Sequence, residues 1–172
     1  MTQELIDLKN SIIEGRYQDA LAIVDELEGM SKKAILSRID SFLVILMIHL
    51  IKNQVQQRLT NSCASSISNA IREIQKTNLK DNKNSYYVNV YEWQPLLEEA
   101  IEAAIRPASL EIYNKSINRA KFAAELDQTQ LIATATKLLD LTYSYSAKEL
   151  PAIMDEYLSQ LPGGEDWNQE DD

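Results

Sequence analysis

One long segment, residues 31–58, constrains this fold most. It contains no glycine or proline, and it includes an apolar run from Phe42 to Ile51 that only His49 interrupts. Because glycine and proline end helices and make the turns that β-sheets need, this stretch predicts one long helix. Its middle is apolar on every side, which indicates that protein surrounds it. With only four glycines and four prolines in total, we predict an all-α, single-domain bundle of about seven or eight helices, with residues 31–58 as its long buried central helix.

Apolar residues recur at helical spacing on both sides of this segment. Residues 5–13 and 17–27 predict two helices that Gly15 and Gly29 end, and the short link between them predicts an antiparallel pair. A fourth helix is expected after the central one, followed by a polar loop over residues 78–84.

Prolines and capping residues set the predicted helices of the C-terminal half. Pro95 is expected at the first position of a fifth helix, and Pro107 is expected to break or kink that helix because proline removes a backbone donor. A sixth helix then covers about residues 108–125. Asp127 and Gln130 have the spacing of a capping box for a seventh helix.

The end of the chain has a composition of its own. An eighth helix is predicted from Pro151 to about Gln160, and a Pro-Gly-Gly sequence follows Leu161. We therefore predict a domain over residues 1–161 and an acidic, disordered tail over residues 162–172.

The charge is negative overall and unevenly distributed. The net charge of −9 repels nucleic acids and anionic membranes. Residues 53–90 oppose this trend with five basic and two acidic groups, whereas residues 151–172 carry seven acidic groups and no basic one. The single cysteine, Cys63, favours a cytoplasmic protein because it cannot form an internal disulfide. The apolar run is about half of the roughly 20 residues that a membrane span needs, so no membrane is expected.

A succession of short motifs resembles a known family. The motifs are Gly15-Arg16-Tyr17, Val24-Asp25-Glu26-Leu27-Glu28, Ile48-His49-Leu50-Ile51-Lys52, Ser66-Ile67 and Ile71-Arg72-Glu73-Ile74. In this order they resemble the cyanobacterial family called domain of unknown function twenty-nine, best over residues 14–78. The chain departs from that pattern at Asn53, where an aromatic residue is usual, and at residues 62–65, where a tryptophan is usual. The resemblance implies an all-helical fold and brings no established activity or catalytic residue.

Two single residues have reactive side chains. His49 could be a general base or a metal ligand, but its helical neighbours include no second histidine and no carboxylate. A core or boundary histidine with a hydrogen-bond partner explains it better. Cys63 lies near the start of the fourth helix, where the helix dipole lowers a thiol pKa. No nucleophile signature surrounds it, so we predict no catalytic, metal or cofactor site.

Carboxylates at positions 98, 99 and 102 follow Pro95 on one helix. Carboxylates at helical spacing occur in di-iron bundles, but those sites also need a Glu-x-x-His motif, and this chain has none. Glu98, Glu99 and Glu102 are instead expected on a solvated face, with an ion pair between Glu102 and Arg106.

Basic and aromatic side chains lie close together in the middle of the chain. The candidate interaction residues are Arg72, Lys76, Lys80, Lys83, Tyr86 and Tyr87. Such a mixture binds single-stranded nucleic acids, whereas a solvated loop that leads into core aromatics has the same composition. Both interpretations stay open here.

The lack of recognisable chemistry favours a non-enzymatic protein that binds another protein. An antitoxin-like inhibitor is one concrete form, in which the acidic tail shields a basic partner surface. The alternative is a nucleic-acid-associated module that uses residues 53–93, and an enzyme that depends on His49 is a third hypothesis. Self-association stays open.

Overall fold

The computed structural model describes residues 2–82, 84–115 and 117–167. These residues form seven helices, and the predicted all-α fold is confirmed. The helices are α1 (Gln3–Ile13), α2 (Tyr17–Gln56), α3 (Asn61–Asn78), α4 (Trp93–Tyr113), α5 (Arg119–Glu125), α6 (Gln128–Ser144) and α7 (Leu150–Leu158).

The chain divides into two compact units. The first comprises Met1–Ser37, and the second comprises Arg38–Asp172. Because α2 runs from Tyr17 to Gln56, its two halves belong to different units.

The predicted long helix exists, but it begins earlier than expected. α2 is continuous for 40 residues, so the prediction that Gly29 ends one helix and Ser31 opens another is wrong. A glycine inside a helix costs only about 1 kcal/mol relative to alanine. The strong helix formers on either side outweigh that cost. The helix ends at Gln56, before Gln57 adopts a left-handed backbone with φ of 52°.

The central part of α2 is buried along one face. The fully buried side chains there are Ile39, Leu43, Leu46, Met47 and Ile51. Ile45, on another side of the helix, is 38% exposed. The prediction of burial on every side is therefore wrong, because apolar composition alone does not say how many faces find a neighbour.

α2 also has the length and composition of a membrane-spanning helix. Its most apolar window of 18 residues has a mean hydropathy of 2.0, and 33% of that window is buried. The core helix of a soluble protein has the same properties, so length and composition do not assign this helix to a membrane.

α4 passes through its proline without ending. The helix continues from Pro107 to Tyr113, so the predicted break is wrong. Proline inside a helix costs about 3 kcal/mol. Buried residues on both sides of it, Ala104, Ile105 and Ala108, offset that cost through packing. The predicted sixth helix over residues 108–125 is therefore too long, because the structure has only α5 (Arg119–Glu125) as a separate helix there.

Two predicted helix starts in the C-terminal half, those at Asp127 and Pro151, are confirmed, whereas α4 begins at Trp93, two residues before Pro95. The Asp127 carboxylate accepts a hydrogen bond from the Gln130 backbone N–H at 3.1 Å and caps α6. The reciprocal bond of a capping box does not form, because the Asp127 N–H donates to the Gln54 side-chain oxygen at 3.0 Å instead. Pro151 lies in the first turn of α7, where its missing N–H costs nothing.

The Pro-Gly-Gly sequence packs against the turn between α2 and α3. The Asn53 amide donates to the backbone oxygens of Arg58 at 3.0 Å and of Pro162 at 2.8 Å. Gly163 has a φ of 74°, and a Cβ there would collide with the Arg58 backbone. Further on, the indole of Trp167 donates to the Asp155 carboxylate at 3.1 Å. Residues 168–172 lie outside the described residues, so the tail predicted there stays a prediction.

Candidate interaction surface

The basic residues singled out from the sequence lie on and just after α3. Arg72 and Lys76 are exposed and one helical turn apart, and Lys80 is half-buried. The Lys80 ammonium lies 5.3 Å from the ring centroid of Tyr87, which is also half-buried. Lys83 lies outside the described residues.

The other predicted aromatic residue, Tyr86, packs against a different partner. Its ring meets that of Tyr143 edge-on, with centroids 4.6 Å apart. The backbone of Leu79 and Tyr86 forms an isolated antiparallel bridge. This bridge joins the two ends of the segment that contains the predicted polar loop. Both candidate tyrosines are therefore already engaged within the fold.

A buried hydrogen-bond network holds this segment in place. The Asn78 amide binds both backbone groups of Val88, accepting from its N–H at 2.7 Å and donating to its oxygen at 2.9 Å. The Tyr143 hydroxyl donates to the same oxygen at 2.6 Å. It accepts from the Trp93 indole at 2.9 Å and from the Asn78 amide at 3.1 Å. Burial raises the pKa of Tyr143 to about 12, so the hydroxyl is neutral here.

His49 and Cys63 lie close together, and neither is activated. The Cys63 thiol donates to the His49 backbone oxygen at 3.3 Å. Burial lowers the pKa of His49 and raises the pKa of Cys63. The expected lowering of the thiol pKa by the helix dipole is therefore wrong, because desolvation outweighs it. Among the described residues, the buried His49 Nδ1 has no hydrogen-bond partner, contrary to expectation.

The carboxylates of α4 do not pair as predicted. Glu102 forms its ion pair with Arg119, the first residue of α5, rather than with Arg106. Glu99 lines an open groove of about 200 Å³ together with Asp40 of α2. Burial raises the pKa of Asp40, and the nearby Glu99 raises it further. In the part of the chain that the structure describes, no group of three or more metal-binding side chains occurs.

α1 and the first part of α2 form a helical hairpin within the first unit. Three residues link them, and Gly15 in this link has a left-handed φ of 73°, so the two helices run antiparallel. Ser11 and Ala20 are the buried residues of this pair. Both are small, and their burial indicates the side on which each helix packs.

One face of this hairpin is apolar and exposed. It consists of Leu5, Ile12, Tyr17, Leu21 and Val24, all exposed; we call these five residues the hairpin surface. Ile12 follows the buried Ser11 by one position, and Leu21 follows the buried Ala20 in the same way. One position is a rotation of about 100°. In antiparallel helices the same sense of rotation from the contact line leads to the same side, so both apolar rows lie on one face.

The hairpin surface is surrounded by negative charge. Residues 2–28 carry seven acidic and two basic groups, a net charge of −5, and all nine side chains are exposed. One of the two basic groups is already neutralised, because the Arg16 guanidinium pairs with Glu14 at 2.8 Å and with Asp19 at 3.0 Å.

The periodic apolar residues of both helices were visible in the sequence, but they predicted only amphipathic helices. Nothing in the spacing says whether such a row faces a core or the solvent. The negative charge of residues 2–28 was the available signal in the sequence, although the basic residues Lys32, Lys33 and Arg38 follow soon after it.

Comparison with known proteins places this architecture in a family. The pattern described as Domain of unknown function DUF29 matches residues 5–144. The chain belongs to the DUF29 family. No curated protein and no solved structure matches the chain. The DUF29 match contains the hairpin surface and extends to the end of α6, whereas α7 and the Pro-Gly-Gly sequence follow it.

Asn53 contacts a residue outside the matched region. Its side-chain amide donates to the backbone oxygen of Pro162, which lies beyond residue 144. In this DUF29 protein the amide thus joins the end of α2 to a segment that the family pattern does not include.

Proposed function

We propose that this DUF29 protein is a non-enzymatic, cytoplasmic module that binds another protein through the hairpin surface. The observation that carries the proposal is the group of large apolar side chains on one hairpin face. Tyr17 is 66% exposed, Leu21 63% and Ile12 52%. Contiguous apolar patches of this kind mark interaction sites on soluble proteins.

The state of the reactive side chains supports a binding role over an enzymatic one. A general base needs a pKa near the working pH, and a cysteine nucleophile needs a lowered one. Burial lowers the pKa of His49 and raises the pKa of Cys63. Both changes are opposite to what these roles need.

The nucleic-acid alternative for residues 53–93 receives less support. Stacking on bases requires free aromatic faces. The Tyr87 face is covered by the Lys80 ammonium, and the Tyr86 ring packs on Tyr143. Fluorescence anisotropy with single-stranded oligonucleotides tests it directly. Binding that is lost in Arg72→Glu/Lys76→Glu would favour this alternative.

Affinity capture with matched variants tests the proposed function. The tagged full-length chain, Leu21→Ser and Ile13→Ser are each incubated with lysate of the source cells and analysed by quantitative mass spectrometry. Ile13 is 70% exposed but lies about 200° around α1 from Ser11, away from the hairpin surface. We expect one protein to be retained by the wild type and by Ile13→Ser and lost by Leu21→Ser. Equal retention by all three refutes binding through the hairpin surface.

A shortened chain tests the role of the acidic end. The truncation should follow Trp167, because cutting at Leu161 would remove the contact of Asn53 with Pro162 and that of Trp167 with Asp155. Loss of the partner on removal of residues 168–172 would favour the antitoxin-like form, in which acidic residues shield a basic surface.

A further inference from the structure

We infer that the partner docks on the hairpin surface with an amphipathic helix that carries basic residues beside its apolar stripe. This inference rests on the proposed function, since it names the chemistry of the partner for the same surface.

The arrangement of the two apolar rows fits a helix. One row lies on each helix of the antiparallel pair, on either side of the line along which α1 and α2 meet. A third helix that lies over this line contacts both rows at once, which is the way that helices bury apolar stripes against each other. α1 has 11 residues, so it is about 16 Å long at 1.5 Å per residue. The docking segment therefore needs about three helical turns.

The charges beside the apolar rows select a basic partner. Asp25 follows Leu21 by one helical turn, and Glu28 follows Val24 in the same way. Both carboxylates are exposed, and neither is in an ion pair with a described residue. Lysine or arginine beside the partner's stripe would face them, and complementary charge of this kind steers association and fixes orientation.

The same charges disfavour a second copy of the chain. Two hairpin surfaces packed face to face would bring two regions of net charge −5 together. Like charges at an interface are repulsive, and no compensating basic cluster lies within residues 2–28.

A synthetic peptide tests the inference with the purified full-length chain. The probe is a fluorescein-labelled helix of about four turns with leucine at i, i+3, i+4 and i+7 and lysine beside it. The control peptide has glutamate in place of each lysine. Anisotropy is measured at about 50 mM and about 300 mM salt, since screening weakens contacts between exposed charges.

Each peptide and each variant has its own expected binding result. We expect the lysine peptide to bind at least about tenfold more tightly than the glutamate peptide at low salt. Leu21→Ser should weaken binding about tenfold or more, because it removes an apolar contact at the centre of the surface. Asp25→Asn/Glu28→Gln should weaken it about three- to tenfold and reduce the salt dependence. Ile13→Ser should bind as the wild type does.

Several outcomes would overturn the inference. Equal binding of the lysine peptide to the wild type and to Leu21→Ser indicates unspecific attraction to an acidic protein. A dimer in sedimentation that Leu21→Ser converts to a monomer assigns the surface to a second copy. Flotation with phosphatidylcholine vesicles that depends on Leu21 assigns it to a membrane. If Leu21→Ser loses a captured protein while the lysine peptide does not bind the wild type, the proposed function stands and the basic-helix inference fails. If Leu21→Ser captures the same proteins as the wild type, the proposed function itself is refuted.

Discussion

The Tyr143 hydroxyl joins three parts of the second unit, so its removal should cost far more stability than a typical surface change. The substitution Tyr143→Phe keeps the ring, including its edge contact with Tyr86. It removes the hydroxyl, whose O–H donates to the Val88 backbone oxygen and whose oxygen accepts from Trp93 and Asn78.

The expected magnitude follows from which groups keep a partner. The Asn78 amide and the Val88 oxygen still bind each other at 2.9 Å. The Trp93 indole N–H loses the only acceptor it has among the described residues, and Trp93 is 1% exposed. A buried donor without a partner costs about 1–3 kcal/mol. With a smaller loss from the other two bonds, we expect the free energy of unfolding to fall by about 2–3 kcal/mol.

Urea unfolding followed by circular dichroism measures this loss. With a slope of about 1–3 kcal/mol per molar urea, the midpoint should fall by roughly 1 M or more. The matched control is Tyr86→Phe, whose hydroxyl makes no hydrogen bond to a described residue; its effect should stay within about 0.5 kcal/mol. A Tyr143→Phe midpoint equal to that of Tyr86→Phe would refute the account of the network.

The pH dependence gives a second, independent check of the same group. The pKa of Tyr143 is raised by burial from 10.0 to about 12 in the folded chain. Because the unfolded chain loses the proton first, the stabilisation is complete below pH 10 and is lost as the pH rises towards about 12. The wild type should lose stability over this window more steeply than Tyr143→Phe.

Three further predictions concern two glycines and the histidine. Gly163→Ala should destabilise the chain by about 2–4 kcal/mol, since it combines an unfavourable positive φ with a collision against the Arg58 backbone. Gly29→Ala, in a helix and in open space, should raise the stability by about 0.5–1 kcal/mol; thermal unfolding of both variants decides. Burial lowers the pKa of His49 below 6.5 in the folded chain, so the unfolded chain binds the proton more tightly and stability should fall as the pH drops below 6.5. His49 is the only histidine, so His49→Gln should flatten the melting temperature between about pH 7.5 and 5.5, and an unchanged slope would contradict this.

The helices were predictable because their signals are local. The spacing of Asp127 and Gln130 and the position of Pro151 are read within one turn of chain, and both predictions are confirmed. The errors at Gly29 and Pro107 arise where a local penalty of a few kcal/mol competes with packing or with neighbouring helix propensity. The sequence shows where the helix-breaking residue lies, but it does not show the packing that compensates for its cost.

The candidate sites were harder to predict because they depend on which faces find neighbours. The spacing of Glu102 and Arg106 fits a helical ion pair, but Glu102 binds Arg119 across a chain reversal. Leu21 belongs to an apolar row that looks like any core-facing row. Only the fold shows that Leu21 is exposed.

The hydrogen bond between Asn53 and Pro162 has a consequence for how the chain is made. The two residues are 109 positions apart, so the turn after α2 stays incomplete until residue 162 has left the ribosome. Closing so long a loop costs entropy before any contact repays it, and contacts of this kind form late in folding. A nascent chain therefore carries α2, which contains the apolar run from Phe42 to Ile51, without this hydrogen bond until Pro162 is made, and a chain that stops short of Pro162 never forms it.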